Sequence, residues 1–394
     1  MAPTPAPSLP SLLEATLVLS DQFISSLSLP TQPQSEPPTT TSTSSDSAPL
    51  PLPLLTTSAN ALKAQTTKLS LLAINSPFTP SAVTTVLTAV NESILPSLVT
   101  AALLTLPASY TTAFHAEAKL LVKDVLREFV GLVGVVKVIA REQNGKGKGE
   151  VKGEQKEMVL GATGRVWKAC DELVTFAGEG VVGLVSRKAR MYLELVRDGI
   201  RELQDWDPEE EEAGGDGDDG FFDDDDDEDE DEEDEDDDEK TKPTPEILHA
   251  EKSHMLRLLT PLAQIYPAII SQRLKKTSAL TTSTPLCPSS VSQLDRLLPH
   301  LRELPNLLDE AAGSLYEHDL DNAVEYTIRL RKTAFMAAEV MRVPLSGGSS
   351  GAGAKEGEQG GKNGEEKVVE DKFPKWADTW KNVVEEIAKS KKEG

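Results

Sequence analysis

Five histidines and two cysteines are the residues of this chain best suited to metal or nucleophilic chemistry. Their spacing argues against both. His249 and His254 form the close pair, but five residues apart on a helix they fall on different faces, and a metal site needs ligands that converge. Surface or capping roles are expected for all five histidines. Cys170 occupies a core-like helical position and reads as a small buried hydrophobe; a reactive thiol needs a depressed pKa, for which the sequence shows no source. The long carboxylate run can hold Ca²⁺ only weakly, because no twelve-residue loop with its turn glycine organises it. No phosphate-cradling glycine loop ending in Lys-Ser/Thr is present, nor an HExxH or a GxSxG motif. The expectation is therefore no catalytic residue, no metal and no cofactor, and a chain that is not an enzyme.

What remains chemically distinctive is charge. From Asp207 to Glu239 the chain carries 25 acidic residues and no Lys or Arg, and 223–239 is an unbroken run of carboxylates. Outside that window acidic and basic residues balance at 40 each. Like charges at this spacing repel within a Debye length of roughly 8–10 Å, so the run is expected to stay extended in water and to divide two folding regions. The overall acidity argues against nonspecific nucleic-acid binding, since phosphates would be repelled. Two cysteines are too few for a disulfide framework and fit a reducing compartment. No apolar run reads as a membrane span, and the N-terminus lacks the positive region of a secretory signal. The expected location is nucleus and cytoplasm, without membrane or direct nucleic-acid contact.

The elements that must carry these residues are helices. Aromatics are only 5 % of the chain, so Leu, Val and Ala build the core, and no stretch alternates with strand periodicity. The clearest helix is 110–142, where Ala118, Val122, Val125, Phe129, Leu132, Val136 and Ile139 form one seam. Phe114, Leu121 and Val135 widen it, which calls for several helical neighbours. Gly131 and Gly134 inside it suggest close helix–helix approach. Further helices are read at 8–29, from a cap at Ser58, from Thr79-Pro80 to a stop or bend at Pro96, and at 154–177 and 180–206. After the acidic run they follow from Thr244-Pro245 with interruptions at Pro261 and Pro267, at 290–315 broken near Pro299 and Pro305, at 319–341, and at 372–389. In the last, Phe373, Trp376, Trp380, Val383 and Ile387 share a face.

The fold class expected is all-α, with two antiparallel helical bundles separated by a disordered acidic segment. The first bundle spans 1–206, with 30–57 an irregular Pro/Ser/Thr linker and 143–153 a Gly/Lys loop. The acidic linker is 207–243 and the second bundle 244–342. A flexible Gly-rich linker, 343–366, leads to an amphipathic helix at 367–394.

The segment 161–173, G-A-T-G-R-V-W-K-A-C-D-E-L, resembles the hallmark of the cyclin-D-binding protein family, also called the GCIP family. Leu307-Leu308-Asp309-Glu310 leading to Ser314-Leu315-Tyr316 resembles a second family segment, and the likeness runs over roughly 58–341. The resemblance implies an all-helical, non-enzymatic regulator that binds D-type cyclins and helix-loop-helix transcription regulators and restrains cell-cycle transcription. In the residues themselves, Val166, Ala169 and Leu173 share one face of a helix, with Cys170 beside them. Gly161 and Gly164 are expected to let a neighbouring helix approach, and Asp171 to bond a facing helix or a backbone N–H.

The candidate partner contacts are Trp167, Asp171, Phe221, Phe222, Trp376 and Trp380. Trp167 is read either as bundle packing or as an interface anchor, a role tryptophan often takes. Trp376 and Trp380 belong to a helix that either packs on its own bundle or serves as a helix-in-groove ligand for another protein. Phe221-Phe222 beside the acidic run offers an aromatic anchor for a basic partner. The leading functional expectation is a protein-binding regulator that sequesters partners. The rivals are a histone-chaperone-like binder of basic proteins and a vinculin-like scaffold bundle.

Overall fold

The computed structural model describes residues 8–29, 50–146, 151–209, 243–275, 277, 286–345 and 371–390. Among them no strand forms, and the structure is all-α. Phe221, Phe222, nearly all of the acidic run and most of the Gly-rich linker lie outside the described residues.

The helices are α1 Leu9–Ser28, α2 Pro51–Ile74, α3 Pro80–Ala89, α4 Leu95–Leu104, the single turn α5 Pro107–Tyr110 and α6 Thr112–Lys146. They are followed by α7 Gly153–Asp205, α8 Pro245–Leu262, α9 Ile265–Ile269, α10 Pro288–Tyr316, α11 Leu320–Val340 and α12 Phe373–Lys389. They form two compact units. The chain up to Leu184, with the start of α10 as far as Asp295, makes the first. The remaining described residues make the second. The boundary expected at residue 206 is thus displaced into α7: Gly180, at φ 62°, interrupts its helical backbone, and the residues from Val185 onward pack with the later helices. Glycine reaches such a φ without the Cβ clash that other residues suffer.

In the first unit α1 runs antiparallel to α6. The Lys137 ammonium donates to Glu14, and Lys119 Nζ donates to Leu29 O at 2.8 Å at the other end. The expected α6 seam is buried throughout. Of the residues expected to widen it, Phe114 is buried but Leu121 and Val135 are only half-buried, and Leu126 and Val133 widen the seam on its other side. The buried face of α1 includes Thr16 and Ser20, whose hydroxyls donate to the carbonyls four residues back at 2.8 Å, so that no donor is stranded.

Proline shaped three elements differently from the expectation. α2 begins at Pro51, inside the supposed linker, and Ser58 is a buried mid-helix residue rather than a cap. Proline suits a first turn because its missing N–H would have no helical partner there. Pro96 does not stop the helix that Pro80 opens. One π turn, Val90–Ile94, absorbs the misfit, and Asn91 in that turn donates to Thr16 Oγ1 at 2.8 Å. The result is one 25-residue helical stretch, Pro80–Leu104, long and apolar enough by composition to cross a membrane; half of its most apolar window is buried inside the unit. The expectation that no run is of that length is corrected, because the π turn joins two shorter segments.

In the second unit α10 runs through Pro299 and Pro305 without breaking. Pro305 has no N–H to offer the Leu301 carbonyl, and the Tyr266 hydroxyl donates to that carbonyl instead at 2.7 Å. Glycine supports close approach at Gly199, where an added Cβ would stand 2.5 Å from Leu308 Cδ2. Lys252 donates to the Gln204 carbonyl at 2.9 Å and to that of Trp206, closing the end of α7.

Candidate protein-binding surface

The first half of α7 is held in the first unit by two neighbours. On one side Asp171 accepts from Lys63 Nζ at 2.5 Å, and Ser70 and Thr163 share a short hydroxyl–hydroxyl contact, so α7 lies antiparallel to α2. On the other, Arg165 Nε donates to Glu128 on α6 at 2.8 Å. Between these flanks the inward face is apolar: Val159, Ala162, Val166, Ala169, Cys170 and Leu173 are all buried. Burial pushes the Cys170 thiol up to about 12, so it stays protonated and inert at neutral pH.

The outward face of the same turns is unusual. Leu160, Gly164, Trp167 and Asp171 recur at spacings of four, three and four and form one solvent-facing stripe. Leu160 is 56 % and Trp167 39 % exposed. Gly164 has nothing within 4 Å of where a Cβ would be, and Gly161 beside it meets only its own Arg165. Gly131 and Gly134 on α6 are equally unopposed. Among the described residues no neighbouring helix sits on these four glycines, and their expected role in close helix–helix approach is corrected accordingly. Glycine costs about 1 kcal/mol against alanine in a helix interior, and among the described residues no packing offsets that cost. The stripe is an apolar ledge with shallow relief, flanked by the Lys63–Asp171 and Arg165–Glu128 pairs.

Trp376 and Trp380 behave otherwise. Trp380 is 6 % exposed; its indole Nε1 donates to the Pro261 carbonyl at 2.7 Å, and its ring meets Phe335 edge-on at 5.4 Å. Trp376 is half-buried and stacks on Trp380 at 5.5 Å. The buried face of α12 is Phe373, Ala377, Trp380 and Val384, while Val383 is 43 % exposed, so the expected face is rotated by one residue at its end. The helix packs on its own unit in this structure.

His115 is buried, and its Nδ1 donates to the Thr105 carbonyl at 2.9 Å, a cap on the end of α4. Burial, chiefly, pulls its pKa below the usual histidine range. Among the described residues no group of three or more His, Cys, Asp and Glu is arranged to hold a metal. One feature escaped the sequence reading. Glu251 is 7 % exposed on the inward face of α8. Its signal was present, for it interrupts the core spacing Leu248–Met255–Leu258 where a hydrophobe is due.

Residues 54–209 match the sequence model described as Grap2 and cyclin-D-interacting, N-terminal. This segment, less than half of the chain, is similar to the N-terminal region of the GCIP family. The matched segment spans α2 to the end of α7 and contains the whole exposed stripe. It ends before the second resembling segment, in which Leu307, Leu308 and Leu315 are buried core residues of α10. No curated protein and no solved structure matches the chain. The matched family is one of protein interaction, and the all-helical fold of the described residues is consistent with that.

Proposed function

We propose that this chain is a non-enzymatic, protein-binding regulator of the cell cycle or of transcription, present in nucleus and cytoplasm, that acts by sequestering its partner. The exposed stripe of α7 is the contact. The single observation carrying this reading is that the family-matched segment leaves Leu160 and Trp167 exposed, at 56 % and 39 %, beside glycines that no described residue of the first unit covers. Tryptophan and apolar side chains in such a setting gain most when a partner removes them from water. D-type cyclins come first as partners, because the matched family is described as cyclin-D-interacting. Helix-loop-helix regulators come second.

The acidic run supports a second reading. Twenty-five carboxylates without a basic residue form a strong attractor for a basic protein such as a histone. Titrating the full chain and a form lacking residues 207–239 with purified D-type cyclin, and separately with histone, separates the two. Cyclin binding that survives the deletion supports the stripe. Cyclin binding abolished by the deletion or by moderate salt would replace it with the acidic reading.

A further inference from the structure

The second unit receives α12 in a closely built seat. The Arg273 side chain, 3 % exposed, donates to both oxygens of Asp371 at 2.7 and 2.9 Å and to the Met341 and Arg342 carbonyls at 2.7 and 2.9 Å. Its guanidinium also lies 4.5 Å from the Phe373 ring centre. Arg342 forms a two-pronged pair with Asp378 at 2.8 and 3.0 Å. These two arginines are committed to holding α12.

Arg331 is not committed in this way. It is half-buried on α11 and lines a half-open, mainly apolar cleft of about 460 Å³ between α8, α11 and the last turn of α12. Among the described residues its guanidinium has no hydrogen bond, ion pair or ring contact. The carboxylates of the same walls are engaged. Glu251, 7 % exposed, and His254 each already interact with another group of the chain, and Glu385 lies 3.9 Å from Lys389. That last pair is exposed and loose, which leaves Lys389 able to turn toward an anion in the cleft. The rest of the lining is aliphatic. Ile328 and Val324 lie one and two turns before Arg331 on the same face of α11, so the wall passes from aliphatic to cationic over about 10 Å. Leu258 and Ala388 continue the apolar surface from α8 and α12. A volume of this size with apolar walls and a convergent charge is that of a small-molecule site.

We propose that this cleft binds a free, single-chain carboxylate of medium length, its tail along Val324 and Ile328 and its head on Arg331. The planar guanidinium offers paired hydrogen bonds to the two oxygens of a carboxylate. Half-buried beside aliphatic walls, that pair is screened less than one on open surface. A monoanion suits the site because one guanidinium is unmatched; a phosphate dianion would set its second charge against Glu251 and Glu385. An amphipathic cation would meet the unmatched guanidinium and find carboxylates that are already engaged.

The test is calorimetric titration of the full chain with sodium octanoate, with 1-octanol, octylammonium and acetate as comparisons. Saturable binding of octanoate is expected, with octanol about tenfold weaker and no saturable binding of acetate or octylammonium. Arg331→Gln is expected to weaken octanoate about tenfold and to leave octanol unchanged. Ala388→Trp, which fills the cleft from α12, is expected to abolish binding of both. Circular dichroism reports whether each variant folds; should Arg331→Gln fail to, the four ligands on the wild-type chain and the Ala388→Trp chain decide the matter. Octanoate that does not saturate, octanol or octylammonium bound as tightly as octanoate, or octanoate affinity unchanged in a folded Arg331→Gln or Ala388→Trp chain overturns the proposal.

Discussion

The two tryptophan-bearing faces of this molecule form a natural contrast. On α7, Trp167 stands in solvent beside glycines that meet nothing. On α12, Trp380 is buried, bonded to a carbonyl and set edge-on against Phe335. Both helices have a stripe at spacings of four, three and four. What separates them is whether the chain supplies something opposite. A tryptophan with a partner in the same unit contributes to stability, and one without is available to another protein. Glycine divides the same way: Gly199 lies against Leu308, while Gly164 faces open space.

Several substitutions probe that contrast. Arg273→Ala leaves the Asp371 carboxylate and two carbonyls without their buried donor, and a loss of about 3–5 kcal/mol in the stability of the second unit is expected by denaturant unfolding. Trp380→Ala should cost about 3–5 kcal/mol by the same measurement, whereas Trp167→Ala should stay within about 0.5 kcal/mol. Equal losses at the two tryptophans would erase the distinction. Gly164→Ala is expected to stabilise by up to about 1 kcal/mol, since a Cβ there meets nothing and the unfolded chain loses freedom. Gly199→Ala should show none of that gain, because its Cβ collides with Leu308. A thermal melt of each variant checks the sign.

The smallest effect is one of pH. The Arg342 guanidinium beside Asp378 holds that carboxyl below its usual range. A carboxyl whose folded pKa is depressed stabilises fully above its unfolded value and loses that contribution as pH falls through the folded one. Amide protection in α12 is therefore expected to weaken as pH falls below the usual aspartate range, ahead of protection in α10. Arg342→Gln should remove the difference.

Most of the helices were legible because apolar spacing at helical pitch is dictated by burial itself, as the α6 seam shows. What was misjudged depended on which group answers a local defect. Pro305 interrupts a ladder only if the freed Leu301 carbonyl goes unanswered, and the answer came from Tyr266, distant in sequence. Pro96 needed a π turn, Val90–Ile94, just ahead of it, for which the sequence carries no visible signal. Val384 rather than Val383 closes the α12 face because the stripe follows the seat and not the larger set of hydrophobes. Of the candidate surface, Trp167 and Asp171 were singled out in the sequence and lie on the outward face of α7, whereas the glycines were assigned to packing. Sequence shows that a residue lacks a side chain, and only the fold shows what stands opposite it. Glu251 was overlooked because the helix after Thr244-Pro245 was read from its cap and its prolines and not residue by residue along its inward face.

The central claim is that the Trp167 face of α7 is built for a partner and not for the fold. Trp167→Ala, tested in parallel for its melting temperature and for its affinity toward a D-type cyclin, addresses it most directly. An unchanged melt with affinity reduced about tenfold or more is the expected result. A lowered melt with undiminished cyclin affinity would contradict it.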